Sequence, residues 1–141
     1  MGGVKDEQWA LLQPHLDQEV VVWLTTVRPD GQPQSSPVWF VWDEDAEEFL
    51  IYSMPKSQKV PNIRAHPKVS LNFRGDEVGG DVATVEGEAR IVPDAPPVTG
   101  VPEYLAKYVQ MVKDMGSEPD RFAQGYSVAI RVRPTRVRVW A

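Results

Sequence analysis

Apolar and polar residues alternate with a period of two over much of this chain, which predicts strands punctuated by turn residues. Residues 19–27 are rich in Val, Thr and Trp, break at Pro29, Asp30 and Gly31, and resume over 34–42 as the second strand of a hairpin. The acidic stretch 43–48 is a solvated turn, and compact apolar strands follow at 49–53 and 68–73. A loop over 75–81, containing Gly79 and Gly80, leads into a strand over 82–92. There Val85, Gly87, Ala89 and Ile91 alternate with Glu86, Glu88 and Arg90, leaving one face exposed. The tail over 126–140 sets Val128, Ile130 and Val132 against Arg131 and Arg133, then Val137 and Val139 against Arg136 and Arg138. Pro134, which has no N–H to give to a ladder, should divide that tail into two strand pieces.

Three segments carry helical spacing instead. Trp9, Leu12 and Leu16, with Lys5, Asp6 and Glu7 early on, predict a short amphipathic helix over 4–16, with Pro14 near its end. Residues 57–65 predict a very short helix between two strands. Beyond a Pro-rich stretch at 93–102 that bars regular structure, Val101, Tyr104, Leu105, Tyr108, Val109 and Val112 mark one face of a longer helix ending near Gly116. A helical turn over 119–124 follows. This order lacks the βαβ alternation of a parallel sheet, so the expected fold is mainly β, an antiparallel barrel with added helices. No internal repeat is visible, and the Pro-rich connection is too short to separate two cores, so residues 1–141 are expected to form one domain.

Composition narrows the chemistry. A chain of 141 residues buries roughly two-thirds of its unfolded surface, and 42% hydrophobic with 25% charged residues is ordinary globular usage. The absence of cysteine excludes disulfides, thiolate metal sites and cysteine nucleophiles. His15 and His66 are far apart in sequence and match neither metal spacing nor a Ser/His/Asp arrangement; His66, before Pro67, reads as a turn histidine. A net charge of −5 disfavours nucleic acid. With no apolar run near the ~20 residues that span a bilayer and no apolar signal core at the N-terminus, a cytoplasmic protein without membrane contact is expected.

The segment with most chemical content is 52–64, YSMPKSQKVPNIR. Ser53, Ser57, Lys56 and Lys59 place two hydroxyls and two ammonium groups between a strand end and a helix start, a combination suited to a dianionic phosphate. The same residues also read as an N-cap serine beside solvated lysines, which on local pattern is the commoner arrangement. Trp23, Trp39, Trp42 and Trp140 are of a size to frame a planar ring, although aromatics at strand positions are mostly core or interface; Trp39 is the one candidate for a ligand wall. The arginines of the tail are expected to pair across strands with carboxylates such as Glu86 and Glu88.

The order of elements, with 24–33 (LTTVRPDGQP), Ser36, Pro37, Val38, Trp39 and Phe40, then Tyr52, Ser53, Lys59, 62–70 (NIRAHPKVS) and 85–89 (VEGEA), resembles a known superfamily. It is the pyridoxamine 5′-phosphate oxidase-like split β-barrel superfamily, most closely its actinobacterial deazaflavin (coenzyme F420)-dependent members. The resemblance runs over most of the chain and rests on the joint order and spacing of these pieces. It implies an FMN-binding-like split barrel, homodimeric, with the ligand groove between subunits. It further implies that Ser53, Ser57 and Lys59 hold a cofactor phosphate with Lys56 and Gln58 nearby, and that the strand carrying Ser36, Pro37, Val38 and Trp39 lies against the ring system. The implied activity is hydride transfer between coenzyme F420 and a small conjugated or aromatic substrate. An FMN-dependent oxidase and a non-catalytic flavin- or haem-binding protein are the alternatives. A bound cofactor performs the difficult chemistry in such proteins, so no acid–base dyad is required of the sequence.

Overall fold

The computed structural model describes residues 6–140. Its elements are α1 (Asp6–Gln18), β1 (Val21–Val27), β2 (Pro33–Trp39), β3 (Val41–Asp43), β4 (Glu48–Ser53), α2 (Lys59–Ala65), β5 (Lys68–Asn72), β6 (Val82–Val92), α3 (Pro102–Asp114), α4 (Pro119–Gly125) and β7 (Val128–Trp140). The seven strands form one antiparallel sheet in the order β2-β1-β5-β6-β7-β4-β3. The expectation of a mainly β, antiparallel barrel with helical additions is met. In the Pro-rich stretch a single turn of 3-10 helix forms at Val98–Gly100 before α3 opens at Pro102. No described helix is long and apolar enough to cross a membrane.

The strand order shows where the barrel splits. β2 and β3 lie at opposite edges of the sheet, yet one residue, Phe40, separates them in sequence. The continuous strand expected over 34–42 is therefore broken at Phe40, because the chain leaves one edge and joins the other there. Phe40 is fully buried, so its backbone groups need partners that neither edge supplies. Helix α3 supplies them: the Phe40 N–H donates to Tyr108 Oη at 2.9 Å, and the Phe40 carbonyl accepts from Lys107 Nζ at 2.9 Å.

β4 is buried on both faces, and its alternation sorts two cores. Phe49 and Ile51 face the barrel interior with Leu24, Leu71, Val85 and Ile130, while α1 contributes Leu12 and Leu16. Leu50 and Tyr52 face the other way, under α3 and α4, with Tyr104, Tyr108, Val112 and Phe122. Helix α3 thus needs its apolar stripe because it closes the second core, whereas α1 covers the first.

The tail is one strand of 13 residues, not two pieces. Glu86 faces Arg136 and Gly87 faces Pro134, so Thr135 is an extra residue, and its hydroxyl donates to the Glu86 carbonyl at 3.1 Å. A β-bulge absorbs the proline without ending the ladder. Gly87 is required at this point, since a Cβ there would lie 2.7 Å from the Arg133 carbonyl oxygen and 2.8 Å from Val132 Cγ1. The tail arginines are mostly answered by carboxylates. Arg133 pairs with Glu88 at 2.5 Å, and Arg131 bridges Asp43 at 3.0 Å and Glu48 at 3.6 Å. Glu48 is also gripped by both terminal nitrogens of Arg90. Arg136 sits opposite Glu86 in register, and Arg138 lies 5.3 Å from the Trp140 ring.

Candidate functional site

The end of β4 determines the site. Beyond Ser53 the chain turns through Met54 and Pro55, with the Ser57 N–H donating to the Met54 carbonyl at 3.1 Å. Helix α2 then starts at Lys59, two residues later than expected from the sequence. Gln58 occupies the N-cap with helical backbone angles, φ −60° and ψ −26°, and no side chain caps the helix. The Ser57 hydroxyl is engaged otherwise: it accepts from Lys59 Nζ at 2.8 Å. Ser53, 2% exposed, donates its hydroxyl to the Met54 carbonyl at 3.0 Å.

These residues face a cleft of about 300 Å³ between β2, β4 and the α3–α4 layer. Pro37, Val38 and Trp39 of β2 form one wall, and Tyr52, Ser53, Met54, Ser57 and Lys59 another. Tyr104 and Met115 from α3 and its end, with Phe122 and Tyr126 from α4 and its end, complete the lining. Of the expected residues, Pro37, Val38, Trp39, Ser53, Ser57 and Lys59 come together here. Ser36, Lys56 and Gln58 do not line the cleft. Alternation in β2 puts Ser36 opposite Leu24, an interior residue; Lys56 is exposed on the turn; and Gln58 lines a neighbouring pocket.

The aromatic wall is layered. Trp39 stacks on Tyr108 with centroids 4.4 Å apart and planes within 2°, and meets Phe122 at 5.4 Å and 20° on a second contact. Phe122 in turn stacks on Tyr126 at 4.4 Å and 14°. Trp39 lines the cleft, and Tyr108 of α3 backs its ring. Burial pushes the phenols of Tyr52, Tyr104 and Tyr108 up, so they stay neutral hydrogen-bonding groups.

Lys59 is the electrostatic centre of the cleft. Partial burial holds its ammonium below the usual lysine range, and among the described residues its one hydrogen-bond partner is the Ser57 hydroxyl, with no carboxylate within ion-pair reach. A partly desolvated cation with no counter-ion among the described residues, beside two hydroxyls and an apolar ring wall, matches a ligand that joins an anionic group to a planar ring. Among the described residues no three His, Asp or Glu side chains gather as metal ligands, and neither histidine lines the cleft. His15 is instead buried between Glu19 and Asp81.

Tyr104, Met115, Phe122 and Tyr126 are cleft residues that the sequence pattern did not single out. Tyr104 carried a signal as part of the α3 stripe, but a stripe does not tell whether it meets core or cavity. Tyr126 was placed at the start of the last strand.

The fold is shared with known proteins. The family described as pyridoxamine 5′-phosphate oxidase matches residues 9–141. Among solved structures, an F420 reductase is 30% identical, with a TM-score of 0.68, covering 89% of this chain and 94% of its own. A conserved hypothetical protein from Mycobacterium tuberculosis is 25% identical with a TM-score of 0.73, covering 93% of this chain and 82% of its own. The haem-storage protein HutZ from Vibrio cholerae shares the fold at 20% identity and a TM-score of 0.65, covering 92% of each chain. No curated protein matches the sequence.

Proposed function

This chain belongs to the pyridoxamine 5′-phosphate oxidase family, and on that footing we propose that it is an oxidoreductase that binds coenzyme F420 and transfers a hydride between it and a small conjugated or aromatic organic molecule. The observation that carries the proposal is Lys59, an ammonium directed at Ser57 in a ring-walled cleft with no carboxylate to neutralise it among the described residues. When bound, the deazaflavin would supply the hydride chemistry. The chain's own part is to bind and orient. Ser53, Ser57 and Lys59 would hold the phosphate, Trp39 with Pro37 and Val38 would lie against the ring, and Phe122 and Tyr126 would keep water from its neighbourhood.

The likeness to an F420 reductase at 30% identity supports this cofactor over FMN. Haem is less well served, since no imidazole lines the cleft. The reading includes a homodimer. Pro37 lines the cleft and sits opposite Trp23 in the β1–β2 ladder, and Trp23 and Trp140 each keep 47% of their surface exposed on the outer face of the sheet. A second copy on that face would cover both tryptophans and wall the cleft. Fluorescence and absorbance titration with F420 and with FMN, followed by anaerobic turnover of reduced F420 against a panel of enones and quinones, tests the proposal. Tight F420 binding with oxidation of the reduced form by a panel member is expected. Saturable FMN binding with no response to F420 would replace the cofactor.

A further inference from the structure

Three buried phenols meet where α3 packs on β4, and two of them are answered by the backbone. Tyr52 donates its hydroxyl to the Pro96 carbonyl at 2.6 Å, and Tyr108 donates to the Val20 carbonyl at 2.6 Å. Tyr104 packs against both, its ring centroid 5.1 Å from that of Tyr52 and 4.9 Å from that of Tyr108. Its own hydroxyl has no hydrogen-bond partner among the described residues. Tyr104 is only 1% exposed, yet the one side-chain polar atom that is both fully covered and unpartnered among those residues is Trp42 Nε1. The sliver of Tyr104 left uncovered therefore includes its hydroxyl oxygen, and the cavity that Tyr104 lines is the cleft.

A hydroxyl this deeply buried and still unpartnered is uncommon, because its lost bond to water is returned by nothing in the fold. It fits a position where a ligand brings the missing acceptor. Burial first, then the neighbouring phenols of Tyr108, Tyr52 and Tyr126, keep the proton on Tyr104, so toward a ligand it is a donor. It enters the cleft from the helical layer, whereas Ser53, Ser57 and Lys59 enter from β4 and the turn into α2. The Tyr126 phenol also lines the cleft without a partner, but it is partly exposed, where water can answer it.

We propose that Tyr104 is a specificity-determining donor whose hydroxyl bonds the carbonyl oxygen of the molecule bound in the cleft, so that the substrates are conjugated carbonyl compounds and not conjugated hydrocarbons. The inference rests on the function proposed above and deepens it. When a hydride adds to the β-carbon of an enone, the C=C π pair shifts to form an enolate, and negative charge gathers on the carbonyl oxygen until a proton from water reaches the α-carbon. The reduced cofactor is oxidised as it gives up the hydride. A donor already fixed at that oxygen binds the charge as it forms. A hydrocarbon of the same shape leaves the hydroxyl unanswered and is disfavoured for that reason.

The test uses an isosteric pair, acetophenone and α-methylstyrene, which differ only in C=O against C=CH₂, with dissociation constants read from the tryptophan fluorescence of the full chain. Tyr104→Phe should lower the ratio of the two affinities, acetophenone over α-methylstyrene, about tenfold, the scale of one hydrogen bond. The infrared carbonyl stretch of bound, isotope-labelled acetophenone should lie lower in the wild type than in the variant. Because the hydroxyl has no partner in the fold, Tyr104→Phe should also melt no lower than the wild type. An unchanged ratio with an unchanged carbonyl stretch overturns the role, as does a melting temperature several degrees lower, which would reveal a partner within the protein. A carbonyl shift that disappears in Tyr126→Phe and persists in Tyr104→Phe moves the donor to Tyr126 and overturns it too. F420 titration of the wild type reads the underlying function separately: absence of binding brings down that reading, whatever the ratio.

Discussion

Tyr108 holds Phe40 at the split in the barrel: its phenol oxygen accepts from the Phe40 N–H at 2.9 Å and donates to the Val20 carbonyl at 2.6 Å, lying 3.0 Å from the Phe40 carbonyl oxygen. The same ring supports Trp39 face to face. Tyr108→Phe retains the ring and removes only the oxygen, so a buried N–H is left without its partner. A loss of about 1–3 kcal/mol is expected, the cost of an unsatisfied buried donor. Urea denaturation measures it, and a change under about 0.5 kcal/mol would show that the latch is dispensable.

Lys107 reaches the same carbonyl, and its ammonium lies 3.6 Å from the Phe40 ring centroid. Burial brings its pKa down to about 8 from 10.5, against the pull of the Glu19 carboxylate. Between those two values the unfolded chain binds more protons than the folded one, so stability rises with pH through that window. Below it the folded state carries the full penalty of a partly desolvated cation. The urea midpoint should therefore be higher at about pH 9.5 than at about pH 7.5, and Lys107→Met should flatten that dependence. An identical slope in both proteins would mean that Lys107 is not the group responsible.

The elements of this fold were largely legible because a barrel strand buries one face, and burial of one face writes a period of two into the sequence. The failures have one source, partners distant in sequence. Nothing local marks Phe40 as the crossing between sheet edges, since its partners are Tyr108 and Lys107, 68 and 67 residues away. Pro134 argued for a break because the compensating bulge lies in its pairing with β6. Within the candidate site, Ser53, Ser57 and Lys59, which line the cleft, were marked in the sequence by their clustering at a strand end. The cleft-lining aromatics Phe122 and Tyr126 were missed, because a stacking role is set by how α4 settles on Trp39.

Gly87 gives a test of the bulge. Its missing Cβ is replaced in space by the Arg133 carbonyl and the Val132 side chain, both close. The carbonyl belongs to the ladder and has little room to give. Gly87→Ala should cost about 1–3 kcal/mol, as overpacking does, without altering the residues of the cleft. Thermal denaturation reads this, and a variant as stable as the wild type would show that β6 and β7 slide apart at no cost.

For the phosphate position, Lys59→Ala should weaken F420 binding by about 1.5–3 kcal/mol, the range for a hydrogen bond to a charged group. The fold should be untouched, because the ammonium's only partner among the described residues is a neighbouring hydroxyl. Lys56→Ala is the internal control. It removes a charge of the same sign three residues away, from an exposed position outside the cleft. Equal effects from both substitutions would indicate a diffuse attraction, not a built site; no effect from either would remove the phosphate from this turn.

Trp23 joins the cleft to the outer face of the sheet. From Pro37 the ladder runs through Trp23 to Asn72, Thr84 and Arg138, one row pointing outward across five strands, and Trp140 lies two residues beyond Arg138. Indoles are the largest apolar side chains, and leaving two of them half exposed on one face is costly for a monomer and ordinary at an interface. Trp23→Glu would place a carboxylate in that interface, where it would have to be desolvated. On the proposed dimer reading, light scattering should report a dimer for the wild type and a monomer for this variant, with F420 affinity reduced because a cleft wall is lost. A Trp23→Glu protein that stays dimeric moves the interface elsewhere, and a monomeric wild type that still binds F420 tightly shows that one copy of the chain completes the site alone.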